Sequence, residues 1–135
     1  MLGPKWSRAL RWLPAVAALA VFGRAVLFPF VEWDDAAYLR GNPLIAGGES
    51  VNVLDYLFTP QLGYVVPVTV AIERLLYLIG GGAAWPFHLL AVLLHGANAL
   101  LLARLAERLG AGPRSAVAAA TLWAIHPIVA EPVSW

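Results

Sequence analysis

The chain has 135 residues, of which 61% are hydrophobic and 13% are charged, and its mean hydropathy is +0.74. Soluble domains carry about 25% charged residues, so this composition excludes an ordinary water-soluble domain, and its apolar content excludes disorder. A net charge of +1 is too balanced for a nucleic-acid-binding surface, and the lack of cysteine excludes disulfides and thiolate metal sites. The sequence therefore predicts an all-α membrane protein.

Long stretches with little charge predict about three transmembrane helices. Residues 12–31 contain one charged residue, Arg24, and at about 1.5 Å per residue they cross a hydrocarbon core of about 30 Å. Residues 83–103 contain no acid, lysine or arginine, and residues 115–133 contain only one acid. A fourth apolar stretch, residues 64–79, contains an adjacent acid–base pair. This predicts a helix in the membrane interface, with a fourth span as the alternative.

The basic residues predict the orientation in the membrane. The tail 1–11 has three basic residues and no acid, and segment 104–114 has three arginines and one acid. Segment 32–82 has six acids and two bases, so the positive-inside rule places it outside and the two basic segments in the cytoplasm. We predict a single membrane domain with spans 12–31, 83–103 and 115–133. It would lie in the inner membrane of a bacterium or the endoplasmic reticulum membrane of a eukaryote.

The long outer loop is predicted to contain short amphipathic helices. Asp34 is predicted to cap a helix over residues 35–40, which Gly41 ends. Ser50 is predicted to cap a second helix over residues 51–58. The loop is therefore expected to be compact and to lie on the membrane face.

Polar residues near the membrane have both structural and functional interpretations. Asp34 and Asp35 follow the first span directly, and they act either as a cap and a helix-dipole partner or as a general base and a positioning group. His88 and His95 lie seven residues apart on one face of the second span. Packing against other helices is the favoured interpretation for His95 and Asn98. The chain has no H-x-x-x-H or H-E-x-x-H spacing, so no metal site is predicted.

The order of the polar and aromatic residues resembles the membrane region of the transmembrane and tetratricopeptide-repeat O-mannosyltransferases and their bacterial relatives, which are GT-C type glycosyltransferases. The matching pieces are Phe30-Val31-Glu32-Trp33-Asp34-Asp35 with Tyr38 and Asn42-Pro43, Leu57-Phe58 with Tyr64 and Pro67, Phe87-His88-Leu89, Leu93-Leu94-His95 with Asn98, and Ala119-Ala120 leading into Trp123-Ala124-Ile125-His126-Pro127 with Glu131, Val133 and Trp135. The resemblance covers nearly the whole chain.

The chain departs from the family pattern at two positions. Val66 stands where the family usually has an arginine before a proline, and Ala91 stands where it tends to have an asparagine. If the missing arginine contacts a lipid phosphate, then Arg74, Arg40 or Arg24 is expected to replace it.

The resemblance implies a transferase that moves a sugar from a polyprenyl-phosphate donor to an acceptor protein or glycan on the outer face, with no further cofactor. Asp34 or Asp35 would be the catalytic carboxylate, with Asp34 favoured. His126 and Glu131 would shape the acceptor or phosphate end, and His88 is a further candidate for substrate binding. The chain is then expected to be an N-terminal fragment that is inactive alone.

Two other classes of function stay open at this point. One is a non-enzymatic three-span scaffold or subunit whose polar residues only pack helices. The other is a fragment of a transporter whose intramembrane histidines relay protons. Substitution of the two aspartates distinguishes the enzyme, which loses transfer, from the scaffold, which loses nothing.

Overall fold

The computed structural model describes residues 9–31, 35–47, 52–61 and 63–134. Within these ranges every regular element is helical, and the only strand-like feature is an isolated antiparallel bridge between Gln61 and Tyr64. The all-α prediction is therefore confirmed. Asp34 and Ser50, the two predicted helix caps, lie outside the described residues.

The described elements, in chain order, are α1 (Leu13–Phe22), a 3₁₀-helix (Gly23–Leu27), a π-helix (Ala36–Arg40), α2 (Pro43–Ala46), α3 (Val53–Phe58), α4 (Pro67–Gly80), α5 (Trp85–Arg108), α6 (Pro113–Ala124), a second 3₁₀-helix (Pro127–Val129) and α7 (Ala130–Ser134). They divide into two compact units. We call Met1–Phe28 with His88–Trp135 the helical unit, and Pro29–Phe87 the loop unit.

Small residues bring the helices of the helical unit close together. Ala18 of α1, Ala99 of α5 and Ala124 of α6 form a cluster in which each residue is 0% exposed. A Cβ atom on Gly96 would lie 3.8 Å from the Cβ of Ala15. Small side chains at helix contacts let backbones approach closely, as is typical of helices that pack inside a membrane.

The predicted spans are only partly matched by long apolar helices. Among the described residues, α5, with 24 residues, is long and apolar enough to cross a membrane. The predicted first span is helical only over Leu13–Leu27, because Pro29 disfavours helical geometry at the residue before it. The third is broken into α6 and Pro127–Ser134, which meet at a bend of 53°. The described helices thus supply one crossing, or two if the bent pair counts as one span.

The loop unit begins its short helices with asparagine caps. Asn42 Oδ1 accepts a hydrogen bond from the amide of Leu44 at 2.9 Å and starts α2, a helical turn that was not predicted. Asn52 and Asp55 form a reciprocal capping box, with bonds of 3.0 and 3.1 Å, and start α3 at Val53. The prediction that this helix begins at residue 51 was therefore wrong, because the capping box fixes its start.

The helix predicted over residues 64–79 is present as α4, Pro67–Gly80, and begins three residues later than predicted. It begins where Pro67 occupies the first turn and ends where Gly81 adopts a left-handed φ of 59°. Its buried Val70 packs with Leu39, Leu44 and Ile45 in the core of the loop unit. Both α2 and α3 contact α4, so this helix is the scaffold on which the loop unit folds.

Candidate functional site

Asp35 holds the chain where it leaves the first helical segment. Its Oδ2 accepts a hydrogen bond from the amide of Val31 at 2.9 Å, and the π-helix follows immediately. Asp35 makes no side-chain capping bond to that π-helix, which ends at Gly41 as predicted. Asp34, the favoured catalytic residue, lies outside the described residues.

The π-helix brings Tyr38 against Glu73 of α4. Burial raises the pKa of Glu73 from its ordinary value of 4.5 to about 7, although a hydrogen bond from the Tyr38 hydroxyl lowers it. The pKa of Tyr38 is also raised, first by burial and then by the charge of Glu73 and its hydrogen bond with that residue. Glu73 Oε2 is buried and has no hydrogen-bond partner among the described residues. A carboxyl group in this state exchanges protons near neutral pH.

This contact was not predicted from the sequence. The sequence predicts Glu73 and Arg74 at the membrane surface, and in the structure both side chains are half-buried within the loop unit. The available signal was a single acid in the middle of an apolar helix, which is typical of a paired or functional group. Its partner was not readable, because Tyr38 lies in a different helix.

The arginines proposed to replace the missing family arginine have different surroundings. Arg74 Nη1 donates a hydrogen bond of 2.6 Å to the carbonyl oxygen of Ile45, so part of its guanidinium holds α2 against α4. Arg40, in the last turn of the π-helix, is exposed. Arg24 is exposed in the first 3₁₀-helix, which belongs to the helical unit.

A cavity of about 470 Å³ lies beside the π-helix, α2 and α3. Its polar lining consists of Tyr38, Asn42, Asp55, Thr59 and Gln61. The buried Asn42 donates through Nδ2 to the Gln61 side-chain oxygen, which closes one end of α2 against the segment after α3. Two separate chain segments, residues 37–44 and 55–61, form this cavity, so its existence was not predictable from local patterns.

In the helical unit, the side chain of His95 forms a hydrogen bond with a backbone carbonyl that has no partner within its own helix, because the helix is broken after α6. The amide of Ile128 bonds to His126 Nδ1 at 3.2 Å, so it does not reach Ala124, four residues back. The Ala124 oxygen lies 2.8 Å from His95 Nε2 instead. Because a carbonyl only accepts, the proton must be on Nε2. The ring also packs edge-on against Phe22, which fits the predicted packing role of His95.

The remaining predicted residues of the helical unit differ in their exposure to solvent. His88 is 3% exposed, and neither of its ring nitrogens has a partner within the described ranges. His126 and Glu131 are exposed, His126 as a helix cap and Glu131 in the first turn of α7. Asn98 is exposed and lies off the face that buries His88 and His95, so no described helix packs on it.

The predicted site residues therefore fall into two groups. Asp35, Arg40 and Arg74 belong to the loop unit, whereas His88, His126 and Glu131 belong to the helical unit. The parts of the chain that the structure describes contain no group of three or more histidine, aspartate or glutamate residues that would hold a metal ion.

The chain is 46% identical over 111 residues to Protein O-mannosyl-transferase Tmtc2 of Drosophila melanogaster. The aligned region is 76% of this chain and 12% of that protein, so the chain spans about an eighth of the length of this relative. No family model and no solved structure matches. Over most of its length, the chain is similar to one part of an O-mannosyltransferase.

Proposed function

We propose that this chain is part of a membrane glycosyltransferase that moves a sugar from a polyprenyl-phosphate donor to a protein or glycan acceptor on the outer face. The observation that carries the proposal is the identity of 46% over 111 residues with an O-mannosyltransferase. The long apolar helix α5 and the small-residue contacts around it support a membrane location.

The proposed chemistry uses the carboxylates after the first helical segment. A carboxylate accepts the proton of the acceptor hydroxyl as that oxygen attacks the anomeric carbon of the sugar. The bond between the anomeric carbon and the phosphate oxygen breaks, and the polyprenyl phosphate leaves with the electron pair. Because Asp35 Oδ2 already accepts from the Val31 amide, Asp35 is better suited to position the loop. Asp34 is therefore our candidate for the base.

The other candidates have subsidiary roles in the proposal. Arg40, exposed at the end of the π-helix, is suited to a donor phosphate, and Arg74 would support it through α4. His126 and Glu131 would contact the acceptor or phosphate end. The buried ring nitrogens of His88, without partners among the described residues, would bind a polar group of the substrate.

The test is transfer by the full-length protein with each aspartate changed in turn. Asn caps a helix about as well as Asp but is not a base, so Asp34→Asn should keep the membrane level and lower transfer by about 10²–10⁴-fold. Asp35→Asn keeps an acceptor for the Val31 amide, so a loss of transfer in this variant would show that the two carboxylates exchange or share the role of the base. Glu49→Gln, in the same loop but outside the matched motif, is the control.

Full transfer by both aspartate variants and by the double variant would show that the carboxylates are only structural and would overturn their catalytic assignment. A loss of activity on substitution of His95, with no loss on substitution of the aspartates, would favour a transporter. Reporter fusions at Gly48 and Gly112 test the orientation separately, since the first should be outside the cytoplasm and the second inside it.

A further inference from the structure

A groove with a basic rim lies where α1 and α6 begin in the helical unit. We call it the basic groove; its volume is about 780 Å³, and its lining includes Arg11, Arg114, Leu10, Leu13, Val117 and Ala118. Arg11 and Arg114 are exposed and come from segments far apart in the sequence. Two cations therefore flank a surface that is otherwise formed largely by aliphatic side chains.

A second, smaller cavity adjoins the basic groove. Its volume is about 190 Å³, and it shares Arg11 and Val117 with the groove while adding Arg104 and Glu107. Three arginines and one glutamate thus line the two connected spaces. The excess of positive charge favours an anionic group, and the arginine fork suits the oxygens of a phosphate.

The depth expected for this region is that of lipid headgroups. Trp12 lines the smaller cavity and is 59% exposed, and exposed tryptophans are enriched at the boundary between membrane and water. The aliphatic side chains of Leu13 and Val117 also line the groove. A phosphate at the rim would therefore have an apolar surface beside it on which an acyl chain can lie.

We propose that the basic groove binds one anionic phospholipid, with its phosphate at Arg11 and Arg114 and an acyl chain along the aliphatic wall. Basic pockets between membrane helices are suited to acidic lipid headgroups. A free phosphate would use only the arginines, so the aliphatic wall is the reason for choosing a lipid. The proposal does not depend on the transferase assignment, because the groove contains none of the proposed catalytic residues.

The experiment measures retained lipid on the purified full chain by native mass spectrometry, after exchange into micelles containing equal phosphatidylglycerol and phosphatidylcholine. The wild-type chain should retain phosphatidylglycerol preferentially. A basic residue near an anionic surface contributes about 1 kcal/mol, which is about fivefold in affinity. Arg11→Gln and Arg114→Gln should each lower retention about fivefold, and the double variant about 25-fold.

Arg108→Gln is the matched control. Arg108 is exposed at the end of α5, one turn after Arg104, but it lines neither the basic groove nor the smaller cavity. This substitution removes the same charge and should leave retention within about twofold. An equal loss with Arg108→Gln would overturn the proposal in favour of general charge attraction, as would equal retention of the two lipids by the wild type. Displacement of the lipid by soluble glycerol 3-phosphate at similar concentration would also overturn it, because it would identify a site for phosphate alone.

Discussion

The half-buried Glu73 should make the stability of the chain depend on pH in a direction opposite to that of a paired carboxylate. Its pKa is raised from 4.5 to about 7 by burial, so the folded chain binds this proton more tightly than the unfolded chain. The stabilisation is fully present below the unfolded pKa of 4.5 and is lost as the pH rises through 7. Glu73→Gln, which mimics the protonated carboxyl, should remove this dependence.

The size of the effect follows from the pKa difference. At about 1.36 kcal/mol per pKa unit, a change from 4.5 to about 7 sets an upper limit of about 3.4 kcal/mol on the contribution of Glu73 to the pH dependence of the free energy of unfolding. Because solvent reaches part of the half-buried side chain, screening reduces this to about 1–2 kcal/mol. Glu73→Gln should therefore match the wild type at pH 4.5 and exceed it by about 1–2 kcal/mol at pH 8.5.

The assay is thermal or denaturant unfolding of the full chain in neutral detergent across this pH range, with Glu131→Gln as an exposed control. Tyr38→Phe removes the hydrogen bond that lowers the pKa of Glu73, so it should move the transition to higher pH. Equal pH profiles for the wild type and Glu73→Gln would refute the burial of this carboxyl. A Tyr38→Phe transition at lower pH would refute its hydrogen bond.

Three further substitutions test the packing, each by unfolding in the same detergent. His95→Leu leaves the Ala124 carbonyl without its donor and should cost about 1–2 kcal/mol; an unchanged stability would show that this bond is not formed. Ala99→Leu overfills the 0%-exposed helix contact and should cost about 1–3 kcal/mol, whereas Ala97→Leu on the exposed face of α5 should change it by less than about 0.5 kcal/mol. Gly82→Ala, at a φ of 84° and with a tyrosine ring 3.2 Å from the new Cβ, should cost about 1–3 kcal/mol.

Expectations that rest on local signals were the accurate ones. The end of α4 at Gly80 follows from the glycines after it, whereas its start at Pro67 is three residues later than predicted. Helix α5 begins two residues after the start of the predicted second span and ends five residues beyond its end. The stops at Gly41 and Thr59 were also predicted, because glycine and a residue before proline end helices for reasons of backbone geometry.

Expectations that needed contacts between distant segments failed or were missed. The contact of Glu73 with Tyr38 joins two helices, and the role of Arg74 in holding α2 depends on a backbone carbonyl in that helix. The exposure of Asn98 depends on which helices pack against α5. The break at Pro127 was different, since a proline inside an apolar stretch was a visible local signal that should have divided the third span.

The early end of the first helical segment has a consequence for the membrane around it. Ten α-helical and five 3₁₀-helical residues over Leu13–Leu27 reach about 25 Å, which is short of a hydrocarbon thickness of about 30 Å. The next residues, up to Val31, are not helical, and their backbone groups need water or protein partners. If this segment crosses a bilayer, the hydrophobic mismatch would make the bilayer thin locally beside it.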